Sequence, residues 1–184
     1  MILTETQIDQ LLHQEAITEE WPWSTNDEQV IDRNVKDIVA EICRRARLKD
    51  KTEYGHYGSG YASYVDCWLY RPDDDFRISP GNHYHGLVIL FSRLSSFYVL
   101  GQGDKSWDRT GGAFYLPDYD FVDVIEQPVL KDQVPLVTTI LTERGLTRLH
   151  KTDLDTFLPA GVQVPTILAQ HVLRDFDALF YWED

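Results

Sequence analysis

The sequence is poor in cysteine, with only Cys43 and Cys67 among 184 residues. Secreted domains of modest size that depend on disulfides usually contain more cysteines than this. Cys43 lies in a helical pattern and Cys67 in a strand-like pattern, and neither belongs to a nucleophile signature with a matching histidine. We therefore expect two buried thiols, and neither a disulfide framework nor a catalytic cysteine.

Long hydrophobic runs and a cationic leader are also missing. The first five residues, MILTE, do not start a cationic region followed by an apolar core and a small-residue cleavage site. The longest apolar runs are far shorter than the roughly 20 residues that a membrane-spanning helix needs. The sequence therefore predicts a cytoplasmic protein without membrane association.

Positive charge is scarce, because 17 lysines and arginines face 30 aspartates and glutamates and leave a formal net charge of −13. A negative potential of this kind repels phosphate backbones and attracts cationic partners. Direct nucleic-acid binding is disfavoured, and a basic protein partner is favoured. Solubility alone is the competing explanation of the acidic composition.

Apolar residues are plentiful: the hydrophobic fraction is 43%, and the chain has five Trp, ten Tyr and eight Phe. A chain of this length can bury one sizeable core without metals or disulfides. No repeat, linker or low-complexity segment divides the sequence. We expect one domain over residues 1–184.

Helical patterns occur near both ends of the chain. Residues 4–7 form a capping box that predicts a helix over about 5–16. A second box at 25–28 opens the best-defined helical pattern, in which acids come early and bases late. Residues 136–149 predict a further helix, and the apolar segment 172–182 predicts a helix that docks into the core.

Strand patterns occupy the middle of the chain. Residues 61–71 predict one strand, and the apolar runs 87–91 and 97–100 predict an antiparallel hairpin. Both runs are continuous, so both faces of these strands should be covered. A glycine-rich polar loop is expected over 101–112 and a short strand over 113–116. The predicted fold is a single α+β domain, with N-terminal helices packed on a mainly antiparallel sheet and further helices in the C-terminal third.

Several motifs are compatible with metal or phosphate binding, but none has the full pattern that such a site requires. His83 and His85 would lie on one face of a strand, where two imidazoles can bind one metal, but no further ligand follows at a fixed spacing. The glycine-rich segments do not have the spacing of a phosphate loop. We therefore predict no catalytic residue, no metal and no cofactor. The alternative is an enzyme or small-ligand binder, dependent on a small molecule or a metal, with a pocket near His56, His83, His85 and Trp107.

Aromatic side chains are concentrated in two segments: 54–61, which opens the sheet, and 115–126, where they alternate with carboxylates. Tyr and Trp give rigid contact area at protein interfaces, and neighbouring carboxylates complement a basic partner. Such rings can equally belong to the core. The predicted partner-binding residues are Tyr54, His56, Tyr57, Tyr61, Tyr115, Asp118, Tyr119, Asp120, Asp123 and Glu126.

In type, the chain resembles the small cytoplasmic immunity proteins of bacterial polymorphic toxin systems. The resemblance lies in its size and acidity, the hairpin over 87–100, the acidic aromatic segments, and the ending FYWED at 180–184. It implies a protein that binds a cognate toxin domain and blocks its active site or substrate channel. If that toxin is a nuclease, the carboxylates would mimic the phosphates of its substrate. The oligomeric state stays open.

Overall fold

The computed structural model describes residues 3–166 and 172–183. The α+β prediction is confirmed, with a mostly antiparallel, curled sheet. The helices are α1 (Glu5–Leu12), α2 (Glu28–Ala46), α3 (Pro128–Lys131), α4 (Val134–Glu143) and α5 (Asp175–Leu179). The strands are β1 (Lys49–Glu53), β2 (Tyr61–Ala62), β3 (Tyr64–Tyr70), β4 (Arg77–Ser79), β5 (His83–Ser92), β6 (Phe97–Trp107), β7 (Gly112–Phe114), β8 (Thr147–Arg148) and β9 (Trp182–Glu183).

The main sheet has the strand order β1-β3-β5-β6-β7, and these neighbours are all antiparallel. β4 also pairs with β5, and β8 adds to β6 in parallel. β2 and β9 form a separate two-stranded ribbon. The predicted hairpin is the β5–β6 pair at the centre, in which Ile89 lies opposite Leu100.

The first two helices start where local capping allows. The Thr4 hydroxyl accepts the Gln7 N–H, and the Gln7 side chain accepts the Thr4 N–H, which confirms the first capping box. α2 starts two residues later than the second box implies, because the N-cap is Asp27, whose carboxylate accepts the N–H groups of Gln29 and Val30. Thr25 instead ends a short 3₁₀ turn, so the box it was expected to open is wrong.

The main sheet has two faces that differ in what covers them. Alternate side chains of β3, β5 and β6 point to the side of α2 and α4, which we call the helix face, and they include Cys67, Ile89 and Leu100. The Cys43 thiol of α2 lies 3.8 Å from the Asp50 carboxylate of β1, which shows that α2 lies on this side of the sheet. The opposite side, which we call the aromatic face, presents Asp66, Trp68, Tyr70, Tyr84, Lys105 and Trp107.

The loop expected over 101–112 is wrong, because β6 continues to Trp107. Its glycines mark close approach of aromatic rings. A Cβ atom at Gly103 would lie 2.2 Å from the Tyr115 ring, and one at Gly101 would lie 2.2 Å from the Phe121 ring. A glycine in a strand can signal such an approach as well as a turn.

The C-terminal segment docks into the core, as predicted, but mostly not as a helix. α5 is only five residues long, and its Phe176 and Leu179 are buried. After α5 the chain adopts an extended conformation, and β9 pairs with β2. The buried Ser63 hydroxyl donates to the Leu179 carbonyl at 2.9 Å and accepts the Tyr181 N–H at 2.8 Å, and Ser63 separates β2 from β3. The single strand expected over 61–71 is therefore two.

One cluster of buried apolar residues joins the helices to the sheet. Both cysteines are free: Cys67 is buried, whereas Cys43 is only half-buried. Burial raises the pKa of the Cys43 thiol to about 12.

Within residues 3–166 and 172–183, no helix is long and apolar enough to span a membrane.

Candidate functional site

Two of the predicted binding residues, from segments far apart in sequence, meet at a carboxylate that the sequence analysis did not single out. The Tyr57 hydroxyl donates to Asp66 Oδ2 at 2.8 Å, and the Tyr115 hydroxyl donates to Asp66 Oδ1 at 2.5 Å. The Asp66 carboxylate is thus held on the aromatic face by one hydroxyl on each oxygen. The structure brings the segments 54–61 and 115–126 together at this point.

Asp66 is only 2% exposed, so its charged form has lost nearly all of its water. This burial raises the pKa of Asp66, although Lys105 and the two tyrosine hydroxyls oppose the change. Burial also raises the pKa of Tyr57 and of Tyr115, and the nearby Asp66 charge adds to it. Both tyrosines therefore remain hydrogen-bond donors at neutral pH.

Lys105 lies next to this group on β6. Its Nζ is 5.1 Å from the centre of the Tyr115 ring and 5.6 Å from that of Trp68, within the range of cation–π attraction. Burial lowers the pKa of Lys105, while the negative charge of Asp66 counteracts the effect. The aromatic face thus holds a cation in partly desolvated surroundings.

A pocket of about 290 Å³ opens beside Lys105. A second cation, Lys51, lies at its rim with Nζ 4.1 Å from the centre of a Trp107 ring. Phe114 of β7 is 58% exposed and lies opposite Lys105 in the β6–β7 register. The lining residues are Lys51, Glu53, Tyr57, Lys105, Ser106, Trp107, Gly112, Ala113 and Phe114.

His56 is part of an internal network and is not a free turn residue. Its Nε2 lies 2.9 Å from the Glu28 carboxylate, and its Nδ1 accepts the Ala62 N–H at 2.9 Å. The buried Arg93 guanidinium lies 3.3 Å from the same Nδ1 and pairs with Asp32. His56 therefore links α2 to the start of the sheet.

The other two aromatics of the first segment also pack inside the domain. The carbonyl of Tyr54 accepts a hydrogen bond from Arg93, and Lys36 lies 4.6 Å above the Tyr54 ring. Tyr61 stacks on His56 at a ring distance of 5.5 Å. Both are half-buried, so these two residues are only partly accessible to solvent.

The acids of the second segment have different environments. Asp118 accepts the N–H groups of Asp120 and Phe121 and so caps a 3₁₀ turn. Asp123 pairs with Arg148, and its pKa is lowered by hydrogen bonds and nearby positive charge that outweigh partial burial. Asp120 is 87% exposed at the side chain and makes a 3.2 Å contact with Lys151.

Tyr119 and Glu126 complete the predicted set. The Tyr119 hydroxyl donates to Asp155 at 2.9 Å, and the centre of its ring lies 4.5 Å from Lys151 Nζ and 4.6 Å from the Arg174 guanidinium carbon. Glu126 is exposed, and its backbone N–H donates to the Gln102 side chain. Asp120 and Glu126 are therefore the acids of this segment that face solvent.

Large apolar side chains are exposed along the same stretch. Phe114 is 58% exposed, Leu116 56% and Val124 44%. The stretch follows the edge of β6, since β7 pairs with it and the Gln102 N–H donates to the Val124 carbonyl. We call residues 112–126 the edge surface. It combines exposed apolar side chains with the exposed acids Asp120 and Glu126.

The histidines of the alternative prediction do not share one pocket. His83 and His85 lie on the helix-face side, where His83 contacts Ser79 and His85 contacts Asp104, at 2.9 and 2.8 Å. His83 and Trp107 do line a common cleft of about 520 Å³, but His85 and His56 do not line it. Among the described residues, no group of three or more His, Cys, Asp or Glu is placed to hold a metal ion.

Sequence reasoning missed Asp66, Arg93 and Lys105, although each had a signal. Asp66 interrupts an otherwise apolar strand, and a charged residue there indicates a buried, partnered group. Arg93 lies in the short turn between two buried strands. The sequence pattern places Lys105 in a loop, because the glycines of β6 are also typical of turns.

No protein-family model, no curated protein and no solved structure matches this chain.

Proposed function

We propose that this protein is a cytoplasmic bacterial immunity protein that binds a cognate toxin domain through its edge surface. The observation that carries the proposal is the exposure of Phe114, Leu116 and Val124 beside the exposed acids Asp120 and Glu126. Interfaces between proteins commonly place apolar anchors at the centre and charged groups at the rim. Large apolar side chains that are exposed within one short segment are the kind of feature that marks a contact surface.

The charge of the whole chain supports a basic partner. A net charge of −13 gives a field that speeds the approach of a cationic domain, and Asp120 and Glu126 lie where such a domain would arrive. A nuclease or another toxin with a phosphate-binding cleft has the complementary charge. Carboxylates inserted there would take the place of substrate phosphates.

The predicted binding residues divide into two roles under this proposal. Asp120, Glu126 and the accessible part of Tyr119 would contact the partner. Asp118 and Asp123 shape the backbone of the edge surface through their hydrogen bonds. The remaining residues, which are Tyr54, His56, Tyr57, Tyr61 and Tyr115, support the surface from within or extend it along its border.

The proposal predicts an electrostatic effect on association. The double variant Asp120→Lys with Glu126→Lys should slow binding to the partner by about tenfold or more at low salt, with a smaller change in dissociation. The control is Glu20→Lys with Asp37→Lys, which makes the same change in net charge at exposed positions outside the edge surface. Stopped-flow or surface-binding kinetics against salt concentration give both rates.

The partner for these measurements comes from affinity capture with the native lysate and from the product of the neighbouring gene. Its identity as a toxin is tested by expression: it should arrest growth alone, and co-expression of this chain should restore growth. The edge-surface variant should rescue less well than the charge-matched control. Equal association rates for the two variants would contradict the edge surface. The absence of any growth-arresting partner would contradict the immunity function.

A further inference from the structure

The pocket on the aromatic face combines two cations with aromatic walls. Residues 112–114 of its lining also belong to the edge surface, but its two lysines have no part in the proposed toxin binding. Lys51 and Lys105 extend toward it from β1 and β6. Within residues 3–166 and 172–183, neither ammonium group makes a hydrogen bond or an ion pair, and each instead lies above aromatic rings. Each therefore has N–H donors available for an acceptor that enters the pocket.

Unpaired cations are unexpected here, because acids outnumber bases by 30 to 17. The acids closest to the pocket are already engaged. Both Asp66 oxygens accept tyrosine hydroxyls, and Glu53 Oε1 accepts the Gly55 N–H at 2.5 Å. These carboxylates accept hydrogen bonds from residues beside the pocket and make none with Lys51 or Lys105. The N–H donors of the two lysines can therefore bind a ligand.

The rings supply a second kind of contact. The Trp107 ring packs against the rings of Tyr70 and Tyr84, with centre-to-centre distances of 5.6 and 5.7 Å. These contacts restrict the movement of the Trp107 side chain. Phe114 lines the pocket and is 58% exposed, so part of its ring is free for contact. The volume of about 290 Å³ is close to the lower end of the roughly 300–1,000 Å³ typical of small-ligand sites.

We propose that this pocket binds a small anion that carries a planar ring, with the ring against Trp107 and Phe114 and the anionic group between Lys51 and Lys105. The class includes nucleoside monophosphates and aromatic carboxylates. Phosphate and carboxylate oxygens accept charge-assisted hydrogen bonds from ammonium groups. The inference does not depend on a toxin partner.

The test is calorimetric titration of the whole protein with matched pairs of probes. AMP is compared with adenosine, and 2-naphthoate with 2-naphthalenemethanol, so that each pair shares its ring and differs in charge. At least one anion should bind about tenfold or more tightly than its neutral partner, and its affinity should fall with added salt. If neither anion binds more tightly than its neutral partner, the proposal is wrong.

Variants locate the binding. Lys51→Met and Lys105→Met should each weaken the anion by about tenfold, since each removes one charge-assisted contact while keeping most of the side-chain stem. Lys49→Met is the control, because Lys49 is also exposed on β1 but does not line the pocket. Lys51 is exposed, so its variant should fold even if the Lys105 variant does not. An equal loss of affinity in the Lys49 and Lys51 variants would place the anion elsewhere.

Discussion

The two halves of the β5–β6 hairpin differ in composition although they share the same strands. The core half, Leu87–Ser92 with Phe97–Gly101, is almost completely buried. The distal half, His83–Gly86 with Gln102–Trp107, alternates half-exposed polar residues with glycines and aromatics. Continuous apolar sequence accompanies two covered faces, whereas alternation accompanies one face open to water. The core half stabilises the domain, and the distal half carries the lysine-lined pocket.

The largest effect is expected in the core half. Ile89→Ala should lower the free energy of unfolding by about 2–5 kcal/mol, because Ile89 is fully buried and the change leaves a cavity. Phe114→Ala, at an exposed site next to the distal half, should change it by less than about 0.5 kcal/mol. Urea unfolding followed by circular dichroism measures both. Similar losses in the two variants would remove the distinction between the halves.

A second, smaller effect tests whether the distal glycines make room for rings. Gly103→Ala should destabilise the protein by about 1–3 kcal/mol, because the new methyl group would overlap the Tyr115 ring. The same change in a Tyr115→Ala background should cost clearly less, since the overlapping ring is gone. The measurement is a double-mutant cycle of unfolding free energies. An additive result would mean that Gly103 is needed for another reason.

The third effect concerns the buried carboxyl group and appears as a pH dependence. Because burial raises the pKa of Asp66, the folded state holds its proton more tightly than the unfolded state. This stabilisation is complete below the ordinary pKa and is lost as pH rises through the raised one, at up to about 1.4 kcal/mol per pH unit. Asp66→Asn should remove this contribution.

The measurement compares urea unfolding of wild type and Asp66→Asn between pH 4 and pH 8. The stability of wild type relative to the variant should fall as pH rises from the ordinary aspartate range. A difference that stays constant with pH would show that the Asp66 pKa is not raised. If the stability of wild type relative to the variant rose with pH, the pKa of Asp66 would be lowered in the folded state and not raised.

Local patterns were sufficient to predict part of the fold. The capping box at Thr4 and the helical spacing of the α2 apolar residues gave two helices, and the apolar runs of β5 and β6 gave the central hairpin. These features depend on residues close in sequence. Both the burial of the hairpin and the docking of the C-terminal segment followed from their apolar composition.

The site was predictable only in part, because it depends on residues far apart in the chain. Tyr57 and Tyr115 were selected as surface aromatics, but the carboxylate that joins them comes from β3. The sequence analysis predicts His56 as a partner-binding or pocket residue, but the tertiary structure connects it to Glu28 and Arg93. The immunity function and all of the predicted contacts with a partner remain predictions.

The sequence by itself determined the acidity, the α+β class, the long helix and the buried hairpin, since composition and short-range periodicity decide these features. The tertiary structure decided that β6 runs through its glycines, that Asp66 accepts two hydroxyls, and that Lys51 and Lys105 reach one pocket. The physical reason is that these contacts join different strands and loops. Their positions are set by the register and curl of the sheet, which no single stretch of the chain specifies.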